Sequence, residues 1–365
     1  MAATSNSFVV AGLSSTLIIQ EHKMGFTYLQ KMPTVEEILQ SLPLKSECTA
    51  VKQQRDEEIR QVIAGVSDRF LVIIGPCSAH DANAVFEYVS RLARLNEKVR
   101  DKLIIIPRIY TNKPRTTGEG YKGMAHQPDP TKAPDVAEGI RAIRRMHIRV
   151  LGETHLSAAD EMLYPENYPY LADILSYVTV GARSVENQQH RLTISGLDVP
   201  AGMKNPTSGD IEVMLNSVQA AQLPHVFVYR DSEVHTTGNS YAHSILRGAV
   251  NHYGQCIHNY HYEDLIGCAE RYEKRGLANP TIIVDTNHAN SNKEYREQPR
   301  IAQEIMESMR QSPMLKKIVR GIMVESYLAE GSQKPDGQEF GKSITDPCLG
   351  WEDTEKLIVN LAEAL

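Results

Sequence analysis

Apolar and polar positions along the 365-residue chain follow two periods. Short, unbroken apolar runs, many of them β-branched, fall at 71–74, 103–106, 148–151, 177–180, 199–203, 225–229, 244–246, 281–284 and 318–324. Runs of this length without a polar alternate suit parallel strands covered on both faces. Helical spacing lies between them. Residues 84–99 set Val85, Val89, Leu92 and Leu95 on one stripe, and 136–146, 211–221 and 263–275 repeat the pattern, the last with Gly276 placed to end it. About eight strands alternating with helices predict an α/β fold of the TIM (β/α)8 barrel type, with an open doubly wound sheet as the alternative. Two strand-like runs between the fifth and seventh units, separated by residues 232–239, predict an inserted β-hairpin at the barrel mouth with Gly238 and Asn239 in its turn. Ahead of the first strand, 35–42 and 53–64 read as amphipathic helices. Residues 1–68 are therefore expected to form an N-terminal helical extension serving as an oligomer or regulatory arm, and 69–365 the barrel.

Charge and cysteine usage narrow the function classes. Lys plus Arg number 39 against 45 Asp plus Glu, a net charge of −6. Phosphate neutralisation along a nucleic acid needs a basic excess, so that partner is excluded as the main business. Five cysteines, without a CxxC pair, fit neither a disulfide scaffold nor a zinc ribbon, and a reducing cytoplasm is expected. No window of about 18 apolar residues offers a membrane span. Residues 8–19 have the apolarity of a signal core but neither its basic flank nor its cleavage site. The run Leu17-Ile18-Ile19 suits an N-terminal strand or a subunit-interface arm, and a homo-oligomer, dimer or tetramer, is expected.

Barrel sites form where strands end, so the residues following each run carry the candidate chemistry. After the first run comes Gly75-Pro76-Cys77-Ser78, and after the second Arg108 and Lys113-Pro114-Arg115-Thr116-Thr117. The third run is expected to end at Glu153. The later ones lead into Arg183-Ser184, Lys204-Asn205, Arg247-Gly248, Asp285-Thr286-Asn287-His288 and Glu325-Ser326. These residues sort into two classes. Arg108, Lys113, Arg115, Arg183, Lys204 and Arg247 would repel one another unless they face anions, and exceed what one phosphate requires. Cys77, His288, Glu325 and Asp346 offer a thiolate, an imidazole and two carboxylates, a mixed donor set for a divalent first-row metal: manganese, iron, cobalt or zinc. Taken singly, each of these residues is more often a packed thiol, a core histidine or an ion-pair partner; their joint placement at strand ends carries the reading.

Several of these segments resemble the motifs of the type I 3-deoxy-D-arabino-heptulosonate 7-phosphate (DAHP) synthases. They are Ile73-Ile74-Gly75-Pro76-Cys77-Ser78, Lys113-Pro114-Arg115-Thr116-Thr117, Gly181-Ala182-Arg183-Ser184, Asn287-His288-Ala289-Asn290-Ser291 and Lys342-Ser343-Ile344-Thr345-Asp346. Gly321-Ile322-Met323-Val324-Glu325-Ser326 and Gly350-Trp351-Glu352-Asp353-Thr354 extend the match, in order, over roughly residues 60–365. The resemblance implies a metal-dependent condensation of phosphoenolpyruvate with erythrose 4-phosphate as the first step of the shikimate pathway. It also implies roles. Arg108, Lys113, Arg183, Lys204, Arg247 and His288 would contact phosphoenolpyruvate; Arg115, Thr116 and Ser184 would face the aldose phosphate; Cys77, His288, Glu325 and Asp346 would hold the metal. Cys77, Lys113, His288 and Asp346 would be the catalytic set. Two alternatives stay open: a secondary-metabolism paralogue using a modified tetrose phosphate, and a catalytically silent regulatory subunit that binds phosphoenolpyruvate or an amino acid. The chain departs from the family pattern in two places. Gly118-Glu119-Gly120-Tyr121-Lys122-Gly123 is one residue longer than the usual Val-Gly-Trp-Lys-Gly, which bears on aldose preference. The extension lacks the Asp-Asp-x-Arg-Ile pattern of amino-acid-regulated members, so weak or atypical feedback control is expected.

Overall fold

The computed structural model describes residues 25–365; the 8–19 stretch and the Leu17-Ile18-Ile19 run lie outside them. The chain divides into one unit ending at Pro33 and a compact unit, Thr34–Leu365. The compact unit opens with α1 (Val35–Ser41) and α2 (Ser46–Ile63). It continues β1 (Phe70–Gly75), α3 (Ala82–Val99), β2 (Leu103–Pro107), α4 (Val136–Thr154), β3 (Ala159–Glu161), β4 (Tyr177–Val180), α5 (Gln188–Ile194), β5 (Ala201–Lys204) and α6 (Ile211–Gln222). A ribbon of β6 (Val226–Tyr229) and β7 (Ser232–His235) precedes β8 (Ala242–Leu246), and a second ribbon, β9 (Ala249–Val250) and β10 (Cys256–Ile257), follows it. The chain ends with α7 (Tyr262–Arg275), β11 (Ile282–Asp285), α8 (Gln298–Gln311), α9 (Pro313–Ile318), β12 (Val319–Glu325) and α10 (Trp351–Ala364).

Eight parallel strands form one sheet in the order β2-β1-β12-β11-β8-β5-β4-β3. A parallel bridge between Arg108 and Ala159, with the Ile109 amide donating to the Ala159 carbonyl at 2.9 Å, joins the two ends and closes the barrel. Helices cover the outside, so strands such as β1, β2 and β11 are buried at every position, as their unbroken apolar runs require. Aspartates cap the covering helices: Asp81, Asp135 and Asp210 each accept from backbone amides in the first turn of α3, α4 and α6. Gly276, at φ +60°, ends α7. Inside the barrel, Leu71, Ile73, Ile104, Ile106, Ile245, Ile283 and Met323 form the core, and Ile59, Val62 and Ile63 of α2 pack into it. At the opposite end, a Cβ on Gly75 would strike the Arg108 carbonyl, so only glycine lets β1 and the chain leaving β2 lie this close. Among the described residues no helix is long and apolar enough to cross a membrane.

Two expectations are corrected. Residues 148–151 are not the third strand but the last turns of α4, where Glu153 is exposed and pairs with Arg149 of the same helix. The third barrel strand is Ala159–Glu161, three residues of which two are acidic, and such a strand leaves no apolar run to read. The hairpin exists, but it lies between the C-terminal end of α6 and the start of β8. That position is the N-terminal end of the barrel rather than its mouth. Arg230, at φ +55°, and Asp231 form its turn, while Asn239 donates to the Val199 carbonyl ahead of β5. The ribbon at the mouth is instead β9–β10, directly after β8.

Candidate active site

The strand ends open into a cavity of about 290 Å³ lined by Cys77, Arg108, Lys113, Arg115, Thr116, Arg183, Ser184, Lys204, Arg247, His288 and Asp346. Every sequence-predicted residue except Glu325 lies on its wall. Glu325 is buried behind it, at the end of β12, facing Arg108. Residues from Cys77 to Asp346 in the chain are thus gathered because parallel strands of one barrel all end on one face.

Three of the cations are neutralised by carboxylates. The Arg108 guanidinium donates to Glu325 Oε1 at 2.9 Å and to the Pro76 carbonyl, and stacks 3.7 Å from the Tyr110 ring centre. Burial alone would favour the neutral guanidine, yet Glu325 and Tyr110 outweigh it and hold Arg108 above the usual arginine range. Lys204 donates to Asp285 Oδ2 at 2.9 Å. Its burial opposes the charge and Asp285 more than restores it, leaving the ammonium above its usual range. Asp285 also lies 2.9 Å from His288 Nδ1. Burial opposes its ionisation, but His288 and Lys204 hold its carboxyl well below the usual range. Lys113 donates to Cys77 Sγ at 2.7 Å and to Asp346 Oδ2 at 2.9 Å.

The coordinating class converges. Ligand atoms of Cys77, Glu325 and Asp346 all lie within 4.8 Å of one another, and Cys77 Sγ is 3.4 Å from Asp346 Oδ2. His288 stands beside this group rather than in it, its Nε2 3.8 Å from Glu325 Oε1. Burial and the neighbouring Glu325 push the Cys77 thiol up to about 11, so taking up a metal would release its proton. The donor set fits a divalent cation, and the Lys113 ammonium already places a positive charge between the thiol and Asp346. Asn287 donates to Glu325 Oε2 at 2.7 Å, orienting that carboxylate from the far side.

On the outer wall, Arg183 Nε donates to Thr116 Oγ1 at 2.9 Å, tying the chain after β4 to the Lys113–Thr117 loop. Arg115 Nε donates to the Tyr121 carbonyl at 2.9 Å, so the loop folds back on itself and exposes Glu119 at the cavity edge. Sequence reasoning gave no role to Tyr110, Glu161, Asp285 or Lys293, all of which line the cavity or bind a residue that does. Asp285 was detectable, since it directly closes an apolar run. Glu161 was hidden with its strand; a Cβ on Gly181 would run into its carboxylate, which shows how closely β3 and β4 meet here.

A model of the DAHP synthetase I family matches residues 46–359. The phospho-2-dehydro-3-deoxyheptonate aldolase of Haemophilus influenzae is 39% identical over 92% of this chain and 92% of its own. The Phe-sensitive enzyme of that name from Escherichia coli is 36% identical, covering 90% of this chain and 93% of its own. A solved structure of the Francisella tularensis phospho-2-dehydro-3-deoxyheptonate aldolase superposes with a TM-score of 0.86 at 31% identity, covering 93% of this chain and 98% of that one.

Proposed function

The chain belongs to the DAHP synthetase I family, and from that premise we infer that it is a 3-deoxy-7-phosphoheptulonate synthase. It condenses phosphoenolpyruvate with D-erythrose 4-phosphate and water, giving 3-deoxy-D-arabino-heptulosonate 7-phosphate and phosphate, the first step of the shikimate pathway. The observation that carries the reading is a cavity in which seven cations meet a Cys/Glu/Asp donor group.

Arg108 and Lys204, rigid at strand ends and held charged by Glu325 and Asp285, form the floor on which the phosphoenolpyruvate carboxylate rests. Arg183 and Arg247 take its phosphate. Arg115, Thr116 and Ser184 take the aldose phosphate. This holds C3 of phosphoenolpyruvate against the aldehyde carbon and removes most of the entropy cost of a two-substrate reaction. The C3–C1 bond forms, water adds at C2, and the tetrahedral intermediate expels phosphate as its C–O bond breaks. Cys77, Glu325 and Asp346, with His288 next to them, would hold a divalent metal that supplies a Lewis acid for the aldehyde oxygen. Lys113, bound to both Cys77 and Asp346, links that centre to the substrate loop. Glu119 at the cavity edge is placed to influence which aldose is accepted. A silent regulatory subunit would have no need of a converged donor group. Five free thiols suit a cytoplasmic enzyme, and the exposed Val226 and Val228 of β6 are apolar surface that a dimer or tetramer would bury.

The test is consumption of phosphoenolpyruvate with erythrose 4-phosphate. Chelation should abolish it, and manganese, iron, cobalt or zinc should restore it. Full turnover in metal-stripped protein, or a Cys77→Ala variant with unchanged rate and metal content, would sink the metal assignment.

A further inference from the structure

Two neighbouring strand ends carry cations assigned to opposite ends of phosphoenolpyruvate. Lys204 closes β5, Arg247 follows β8, and the two strands pair in parallel with Lys204 opposite Ile245. Lys204 is held by its own carboxylate, Asp285, at 2.9 Å. Arg247 is buried too, but its Nη1 has no hydrogen-bond partner. The direction of such a guanidinium follows from its backbone, so whatever fixes residues 247 and 248 fixes the phosphate end of the site.

The fully buried Asn205 does this. Its amide donates to the Ile245 carbonyl at 3.0 Å, carrying the backbone ladder one residue past β5. A parallel ladder would next send the Arg247 amide to the Asn205 main-chain carbonyl. It goes instead to the side-chain Oδ1, at 2.8 Å. Asn205 Nδ2 donates to the Gly248 and Pro206 carbonyls, both at 2.9 Å. The chain on both sides of the Arg247 side chain is thereby bonded to one amide group. A second asparagine completes the frame. Asn259 Nδ2 donates to Asn205 Oδ1 at 3.2 Å, and Asn259 Oδ1 accepts from the Gly248 amide at 2.7 Å. Gly248, at φ +71°, lies so close to the segment after His288 that a Cβ there would strike the Asn290 amide. Two donor hydrogens and two acceptor lone pairs are all in use at Asn205, a set that no aspartate or leucine of similar size supplies.

Resting on the functional reading above, we propose that Asn205 is a positioning residue for phosphoenolpyruvate: it sets Arg247 at a fixed spacing from Lys204, so that the two cations match the phosphate and the carboxylate of one small, rigid substrate. Asn205 is not on the cavity wall and acts through the backbone that carries Arg247.

The experiment uses the full chain, steady-state kinetics and thermal melts. Asn205→Ala should raise KM for phosphoenolpyruvate roughly ten- to a hundredfold, the cost of misplacing a binding group by about an ångström, with KM for erythrose 4-phosphate within about twofold. In an Arg247→Ala background the same change should raise KM for phosphoenolpyruvate by less than about twofold more, because the group it positions is already gone. A merely structural asparagine would lower the melting temperature and give equal factors in both backgrounds. Asn205→Asp keeps the shape but turns a donor towards two carbonyls into an acceptor, and should behave as Asn205→Ala does. Asn259→Ala, at a half-buried position one bond further out, should move KM for phosphoenolpyruvate the same way by a smaller factor, and it decides the matter if the Asn205 variants do not fold. An unchanged phosphoenolpyruvate KM in the folded variant overturns the assignment, as do an equal rise for erythrose 4-phosphate and equal factors in the two backgrounds. A wild-type enzyme inert towards both substrates overturns the functional reading itself, and this inference with it.

Discussion

Lys204 shows how one residue serves both stability and chemistry. Its ammonium is buried and bonded to the buried Asp285, which also contacts His288. Lys204→Met should lower kcat/KM for phosphoenolpyruvate by roughly ten- to a hundredfold. It should also cost about 3–5 kcal/mol of stability, because Asp285 keeps a buried charge with one partner gone. Adding Asp285→Asn should return much of that stability without returning activity, a separation that denaturant melts and steady-state kinetics would read together. Full recovery of activity in the double variant would show that Lys204 only neutralises Asp285. His243 governs an acid response. It sits inside the barrel, its Nε2 2.6 Å from the Tyr177 hydroxyl and its Nδ1 2.8 Å from the Tyr241 carbonyl. Burial lowers it to about 4 from its usual 6.5. Between those values the unfolded chain binds a proton that the folded chain does not. Stability therefore rises with pH across this window and is lost on acidification. Asp160, which burial lifts to about 7, acts in the opposite direction, so the measurement is a difference. His243→Gln should flatten the dependence of melting temperature on pH between about 4 and 6.5 relative to wild type. An unaltered slope would mean the imidazole is already protonated in the fold.

At the scale of elements, α2 closes the core from outside the strand–helix alternation. Ile59, Val62 and Ile63 pack with β1, β2, β8, β11 and β12 residues in one apolar cluster. Ile59→Ala should destabilise by about 2–5 kcal/mol, the cost of a buried cavity that rigid strands cannot collapse. It should leave both Michaelis constants unchanged, because the site lies at the other end of the strands. A stability loss under about 1 kcal/mol in chemical denaturation would show that α2 docks loosely. The helix itself was legible, since its 53–64 stretch has clear amphipathic spacing. Its start at Ser46 was not, because Lys45 and Ser46 make no side-chain cap bond that a sequence motif would announce. The third strand failed for a related reason. A three-residue strand is held by neighbours on both sides, so its own residues need not be apolar: Asp160 accepts from Thr111, and Glu161 lines the cavity.

Across the whole molecule, the β6–β7 ribbon and the active site occupy opposite ends of the barrel. Any effector acting from the ribbon or the extension must bias a state change that reaches the mouth, and it can do so only through unequal affinity for two states. The extension lacks the Asp-Asp-x-Arg-Ile pattern. Phe, Tyr and Trp, each added at sub-millimolar concentration, should therefore leave initial rates nearly unchanged. Strong inhibition by one of them would show that other residues supply the anchoring charges.

The alternation of periods was enough to determine an α/β fold of parallel strands under helices, because parallel strands covered on both faces must be apolar throughout and their covering helices must be one-sided; closure into a barrel rather than an open doubly wound sheet was decided in space, by the bridge between Arg108 and Ala159. The motif order likewise determined which residues gather at the strand ends, since barrel topology sends every strand end to one face. What only the tertiary structure decided is the pairing of charges within that gathering. Arg108, Lys113 and Lys204 read in sequence as free cations, but in space each meets Glu325, Asp346 or Asp285 across tens to hundreds of residues. Lys293, which lines the same cavity but lies eight residues beyond the end of β11, did not register at all. Electrostatic pairing depends on distances of a few ångströms between strands remote in the chain, and no local pattern of residue types encodes such distances.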